Sequence, residues 1–175
     1  MPPTRMSVTI RPRLDGDLAE CIEVLKGVYE KDGYPVGVNG KYLPFLQSDL
    51  IERSWVAEMN DNIVGHVAIG KATNDDVAVA LWRSQYPETG NIAVMERLFV
   101  DPKARGNGVA AKLIETAVDW GKETSVRLVL FVLLKDKNAT ALYERLGWRQ
   151  FGTTTFRYGD GEQMKALCFV SPSTP

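Results

Sequence analysis

The hydrophobic positions of the chain follow two periods, and the point where they change divides the sequence. Val8-Thr9-Ile10-Arg11-Pro12 predicts a short first strand. Leu18, Cys21, Ile22, Leu25, Val28 and Tyr29 then recur at helical spacing, with Asp15 or Asp17 placed to cap the helix. Gly33, Pro35, Gly37, Gly40 and Pro44 make residues 31–44 a loop, and a shorter helix is expected over 45–52. Ser54–Met59 and Ile63–Gly70 read as a hairpin about the turn Asn60-Asp61-Asn62. In the excursion 71–90, Asp75 or Asp76 is expected to cap a short helix through Val77, Ala80 and Leu81, and Pro87 to Gly90 closes the loop. Ile92–Val100 is the third strand of what reads as an antiparallel meander.

After Val100 the pattern changes. Residues 101–108 are a polar, glycine-bearing turn. Ala110, Leu113, Ile114, Ala117, Val118 and Gly121 then form one helical face, with Lys112, Glu115, Asp119 and Lys122 opposite. Val126–Leu134 is apolar on both faces, as in a strand covered on both sides. Residues 100–134 therefore predict one β-α-β crossover. A second helix is expected from Ala139 to Leu146, ending at Gly147. Two last strands, Thr153–Tyr158 and Gln163–Val170, flank Gly159-Asp160-Gly161, and a frayed tail is expected over Ser171–Pro175. The whole predicts a mixed α/β fold with a mostly antiparallel sheet of six or seven strands. With 175 residues, no internal repeat and no linker, one domain over 1–175 is expected.

Composition removes several functional classes. A net charge of −1 offers no basic field for nucleic acid or an anionic membrane. Two cysteines outside any C-x-x-C pair, Cys21 and Cys168, and the single histidine, His66, argue against a structural zinc and for reduced thiols in the cytoplasm. Met1–Val8 lacks the apolar run of a signal peptide, and no stretch approaches the ~20 apolar residues of a membrane span.

The richest segment is Arg105-Gly106-Asn107-Gly108-Val109-Ala110, set between a strand and a helix. The first N–H groups of a helix lack internal partners and carry partial positive charge, and glycines admit a phosphate closely. Lys103, Arg105 and Lys112 add charge nearby. On local grounds alone this could be an ordinary strand–helix turn. Gly106-x-Gly108-x-x-Ala111 also fits a dinucleotide fingerprint. That reading fails on context: five residues separate Val100 from Gly106, a meander precedes the motif, and too little chain follows for a doubly wound sheet. No Gly-Lys-Ser/Thr is present, so a Walker loop is excluded.

The wider pattern adds to this. Leu98-Phe99-Val100-Asp101-Pro102, then Arg105-Gly106-Asn107-Gly108-Val109-Ala110, resembles the R/Q-x-x-G-x-G/A motif of the Gcn5-related N-acetyltransferases (GNAT) with its strand. Asn138-x-x-Ala141-Leu142-Tyr143-x-x-x-Gly147-Trp148 resembles that family's second motif, one β-α-β unit further on. Ala110 stands where the last glycine often does.

The resemblance implies the acyl-CoA N-acyltransferase fold and acetyl-coenzyme A as cosubstrate, with no metal. It implies that the strand at Leu98–Val100 splays from that at Phe131–Leu134, that backbone groups of Phe99 and Val100 pair with the pantetheine arm, and that Leu98 is also a cofactor-binding residue. Arg105, Gly106, Asn107, Gly108, Val109 and Ala110 would hold the pyrophosphate, and Asn138 would bond the arm. Asn138 also reads as a plain helix cap. Tyr143 is implied as the acid that protonates the departing thiolate, or else a core aromatic; with a pKa near ~10 it is protonated at neutral pH. The base candidate is Glu96, which also reads as a charged residue on a strand face, and His66 is a second. Acceptor contacts are expected from residues 32–42 and 75–90, with Tyr34, Tyr42, Trp82 and Tyr86 as aromatic surface and Asp75, Asp76 and Glu88 as anions. The implied acceptor is a primary amine, of a small molecule or of a peptide. A catalytically silent coenzyme-binding module stays open beside both. A homodimer is a family expectation.

Overall fold

A computed structural model describes residues 7–88 and 90–173. The expectations for Met1–Met6, for Thr89 in the closing loop and for Thr174 and Pro175 in the tail lie outside the described residues. The strands are β1 (Thr9–Pro12), β2 (Ile51–Met59), β3 (Asn62–Lys71), β4 (Ile92–Val100), β5 (Arg127–Leu133), β6 (Arg149–Tyr158) and β7 (Glu162–Val170). The helices are α1 (Leu18–Asp32), α2 (Tyr42–Leu46), α3 (Val77–Gln85), α4 (Val109–Thr124) and α5 (Lys137–Arg145). The strands form one seven-stranded sheet in the order β1-β2-β3-β4-β5-β7-β6. β1–β2, β5–β7 and β6–β7 are antiparallel. β4 and β5 run parallel, as a crossover through α4 requires. The expected fold class is thus the observed one.

Two compact units are distinguished, the described residues of Met1–Ile69 with Arg97–Ala117 and those of Gly70–Glu96 with Val118–Pro175. In the first, one face of α1 (Leu18, Cys21, Val24, Leu25, Val28) packs with Leu46, Val56, Ile63 and Phe99. In the second, Ala78, Val79 and Trp82 of α3 pack with Val94, Val129, Phe151, Cys168 and Val170.

Local chemistry explains where expectation and structure part. The hairpin turn is two residues, Asn60 and Asp61, at φ 51° and 62°; this left-handed pair matches the strand twist, so Asn62 belongs to β3. The helix expected over 45–52 spans 42–46 instead. Pro44 falls in its first turn, where no N–H is required, and Ile51 already starts β2. Asp76 caps α3 by accepting from Ala78 N and Val79 N at 2.9 and 3.2 Å. The buried residues of that helix are Ala78, Val79 and Trp82. Neither Asp15 nor Asp17 caps α1 with its side chain; the Asp17 carboxylate takes Leu14 N and the Arg11 guanidinium.

Candidate functional site

The glycine turn of the first unit is built by its own side chains. Asp101 N donates to Val64 O at 2.7 Å, which ties the end of β4 to β3. The Asp101 carboxylate accepts from Lys103 N, and the Asn107 amide reaches back to Ala104 O, both at 2.9 Å. Gly106 and Gly108 sit at φ 84° and 76°, a conformation costing other residues roughly 1–2 kcal/mol. Lys112 N donates to Gly108 O at 3.1 Å, so α4 begins its ladder at Gly108 and its first N–H groups lack partners within the helix. A Cβ at either glycine would meet no atom within 4 Å. This open, donor-lined corner fits a pyrophosphate, and the residues present fit the cosubstrate the motif implies. The Arg105 guanidinium is paired with the carboxylate of Asp32, the last residue of α1.

Just before the turn, β4 carries a left-handed residue. Arg97 lies at φ 55°, strained for a residue with a long side chain. Four elements converge there. His66 Nδ1 lies 2.8 Å from Arg97 O, and Arg13 Nη1 lies 3.0 Å from His66 Nε2. Arg13 Nη1 also donates to Leu46 O at 2.8 Å. Arg97 Nε donates to Phe45 O at 3.0 Å, with the guanidinium over the Phe45 ring at 4.2 Å. His66 is wholly buried and stacks on Phe99 with centroids 5.1 Å apart. A guanidinium only donates, so Nε2 accepts and the Nδ1 proton goes to the carbonyl. Burial first, then Arg13 and Arg97, lowers the His66 pKa to about 4. It is therefore neutral, enclosed and engaged at both nitrogens, which speaks against it as the base.

The second unit carries the other candidates. The Glu96 carboxylate, on half-buried β4, lies against Gly70 of β3, where any Cβ would overlap it. The β4–β5 ladder ends at Val94–Val129, two residues before Glu96. Tyr143 is only 6% exposed on α5, its ring between Trp148 and Phe169 at 5.4 and 6.0 Å. The packing role is real, whatever chemistry the hydroxyl has. Trp148 Nε1 is a buried donor without a protein partner among the described residues, available to a water or a bound molecule. Asn138 is exposed in the first turn of α5, but the cap position belongs to Asp136, so the plain cap reading of Asn138 fails.

Of the acceptor candidates, Trp82 is 3% exposed and packs on Phe151, so it offers no pocket surface. Asp76 is spent on the α3 cap. Tyr34 packs edge-on to Phe45, and Tyr86, at the end of α3, is exposed. A half-buried aromatic row, Phe131 to Phe156 to Tyr158 at 4.8 and 5.9 Å, went unforeseen in sequence. β7 lies between β5 and β6, and nothing local foretells that order.

A parallel crossover in a mostly antiparallel sheet, its helix opened by a glycine turn, defines an acyl-CoA N-acyltransferase fold. The chain belongs to the acetyltransferase (GNAT) family, which matches over residues 21–148. It is 33% identical over 110 residues to an uncharacterized N-acetyltransferase of Methanocaldococcus jannaschii, covering 62% of this chain and 44% of that protein. The chain thus spans less than half the length of that relative. Among solved structures it resembles the ribosomal-protein-S18-alanine N-acetyltransferase of Escherichia coli, at TM-score 0.68 and 18% identity over 95% of this chain and 94% of that one. Arabidopsis thaliana NAA60 in complex with acetyl-CoA gives TM-score 0.69 and 20% identity, over 94% and 97% of the two chains. Among the described residues no helix is long and apolar enough to cross a membrane, and no group of three or more His, Cys, Asp or Glu is arranged to hold a metal ion.

Proposed function

We propose that the chain transfers the acetyl group of acetyl-coenzyme A to a primary amine of a small molecule. The observation that carries the reading is the corner at Gly106 and Gly108, where two left-handed residues open α4 toward an anion. In the first unit, N–H groups of Arg105, Gly106, Asn107, Gly108, Val109 and Ala110 take the pyrophosphate. Backbone groups of Leu98, Phe99 and Val100 take the pantetheine arm. When bound, the cosubstrate supplies a thioester that an amine attacks directly.

The chain's own residues manage two protons. A primary amine of pKa near ~10.4 is protonated at pH 7 and must lose a proton to attack. Glu96 would take it, directly or through a water, before the N–C bond forms. Tyr143 would give its phenolic proton to the sulfur as the C–S bond breaks, and the proton the nitrogen sheds on becoming an amide would restore the phenol. Cys21 and Cys168 take no part; both are wholly buried, and burial raises their pKa values to about 11 and about 12.

The test is thermal unfolding with acetyl-coenzyme A and with NAD, followed by thiol release with small amines and with peptides. At ~100 times its dissociation constant the true ligand adds about 2.7 kcal/mol of stability. A shift with NAD alone ends the reading. A shift with acetyl-coenzyme A but turnover only on peptides moves the acceptor to proteins. Binding with no turnover on any amine leaves a coenzyme-binding module.

A further inference from the structure

The contacts around Arg97 join residues 13, 45, 46, 66 and 97, none of which the glycine motif includes. One of them, from His66 Nδ1, ends on the carbonyl of the Arg97–Leu98 peptide. In a trans peptide the carbonyl and the following N–H point in opposite directions. Whatever fixes Arg97 O therefore fixes the direction of Leu98 N–H, the first backbone donor assigned to the cosubstrate.

We propose that His66 is a positioning residue: by donating from Nδ1 to Arg97 O while Arg13 holds its Nε2, it aims the Leu98 N–H at the pantetheine end of the cosubstrate. This rests on the cosubstrate reading above. Each partner has one defined role. Arg13 bonds both Nε2 and Leu46 O, so the ring is held to the end of α2. Stacking on Phe99 holds the ring plane. The Arg97 side chain, on Phe45 and its carbonyl, anchors the same residue from its other end. A strained φ of 55° persists only where its surroundings over-determine it, and these contacts are those surroundings. His66 touches no reacting atom in this account.

Calorimetric titrations with two ligands separate this role from a general structural one. Coenzyme A has the pantetheine arm; 3′-phospho-ADP lacks it and reports on the turn at 105–110 alone. His66→Phe keeps the stacking ring but removes the donor, and His66→Asn returns an N–H near the Nδ1 position. His66→Phe is expected to weaken coenzyme A about five- to tenfold, one neutral hydrogen bond, and to leave 3′-phospho-ADP unchanged. His66→Asn is expected to restore most of the loss. Equal weakening of both ligands, weakening of neither, or failure of His66→Asn to restore overturns the proposal. Should His66→Phe not fold, Arg13→Gln, which releases Nε2 and the Leu46 carbonyl but leaves the Nδ1 donor, is read the same way against the same two ligands. Wild-type protein that binds neither ligand refutes the cosubstrate reading instead.

Discussion

Lowering the pH from 7 to 4 is expected to destabilise the protein through His66 alone by about 3 kcal/mol. The unfolded side chain takes a proton near 6.5, whereas the buried one resists until about 4. Between those values the unfolded state binds more protons, so stability rises with pH. The contribution is complete above pH 6.5 and is lost as pH falls through the window to about 4. A gap of about 2.5 units at ~1.36 kcal/mol each gives the figure. The physical source is specific. Protonating Nε2 sets a second donor against Arg13 Nη1 at 3.0 Å, inside a site with no solvent exposure and with Arg97 beside it. Asp17, whose pKa is lowered chiefly by its bond to Arg11, loses its share only below the usual carboxylate range, outside this window. Urea unfolding at pH 7, 6, 5 and 4.5, on wild type and His66→Asn, isolates the term, because only the wild type carries the slope of up to ~1.4 kcal/mol per pH unit. Parallel curves for the two proteins would refute the reasoning.

Three more outcomes are expected. Gly108→Asp should abolish coenzyme binding in a folded protein, with the neutral Gly108→Asn retaining part of it; since both share the cost of φ 76°, equal losses would mean strain rather than charge is at work. Gly70→Ala must displace the Glu96 carboxylate, the movable end of a side chain, so turnover should fall by roughly a hundredfold or more while the melting temperature changes little; unchanged turnover would remove Glu96 from the mechanism. Iodoacetamide should label Cys21 and Cys168 in the native protein only at the rate of unfolding, because both are buried with raised pKa values; rapid labelling at pH 8, read by mass spectrometry, would contradict their packing.

What was legible in sequence was what repeats or carries an unusual residue. Strand β4 was placed to the residue, because Gly90-Asn91 before it and the polar turn after it bound the largely apolar run. The glycine turn was legible because φ values of 84° and 76° demand residues without a side chain. Helix α3 was legible, but not which of its apolar residues are buried: Val77, Ala80 and Leu81 look as apolar as Ala78, Val79 and Trp82, and only the packing decides between them. Helix α2 was misplaced because Pro44 reads as a breaker unless its place within the first turn is known. His66 was weighed by its pKa in water, whereas burial and two arginines decide its chemistry here.

The left-handed residue Arg97 marks the deeper limit. Ile92–Val100 has an unbroken strand pattern, and neither glycine, asparagine nor proline announces a left-handed residue in its middle. The strain of roughly 1–3 kcal/mol must be offset by contacts from elsewhere, and those come from residues 13, 45 and 66. Motifs record side chains and glycines that meet a ligand. They do not record side chains that hold a backbone still, because such residues need only satisfy one carbonyl and many arrangements do so. On this argument relatives that keep the glycine turn should keep a left-handed residue in β4 and yet differ in what pins it, so that the donor to its carbonyl varies while its direction does not.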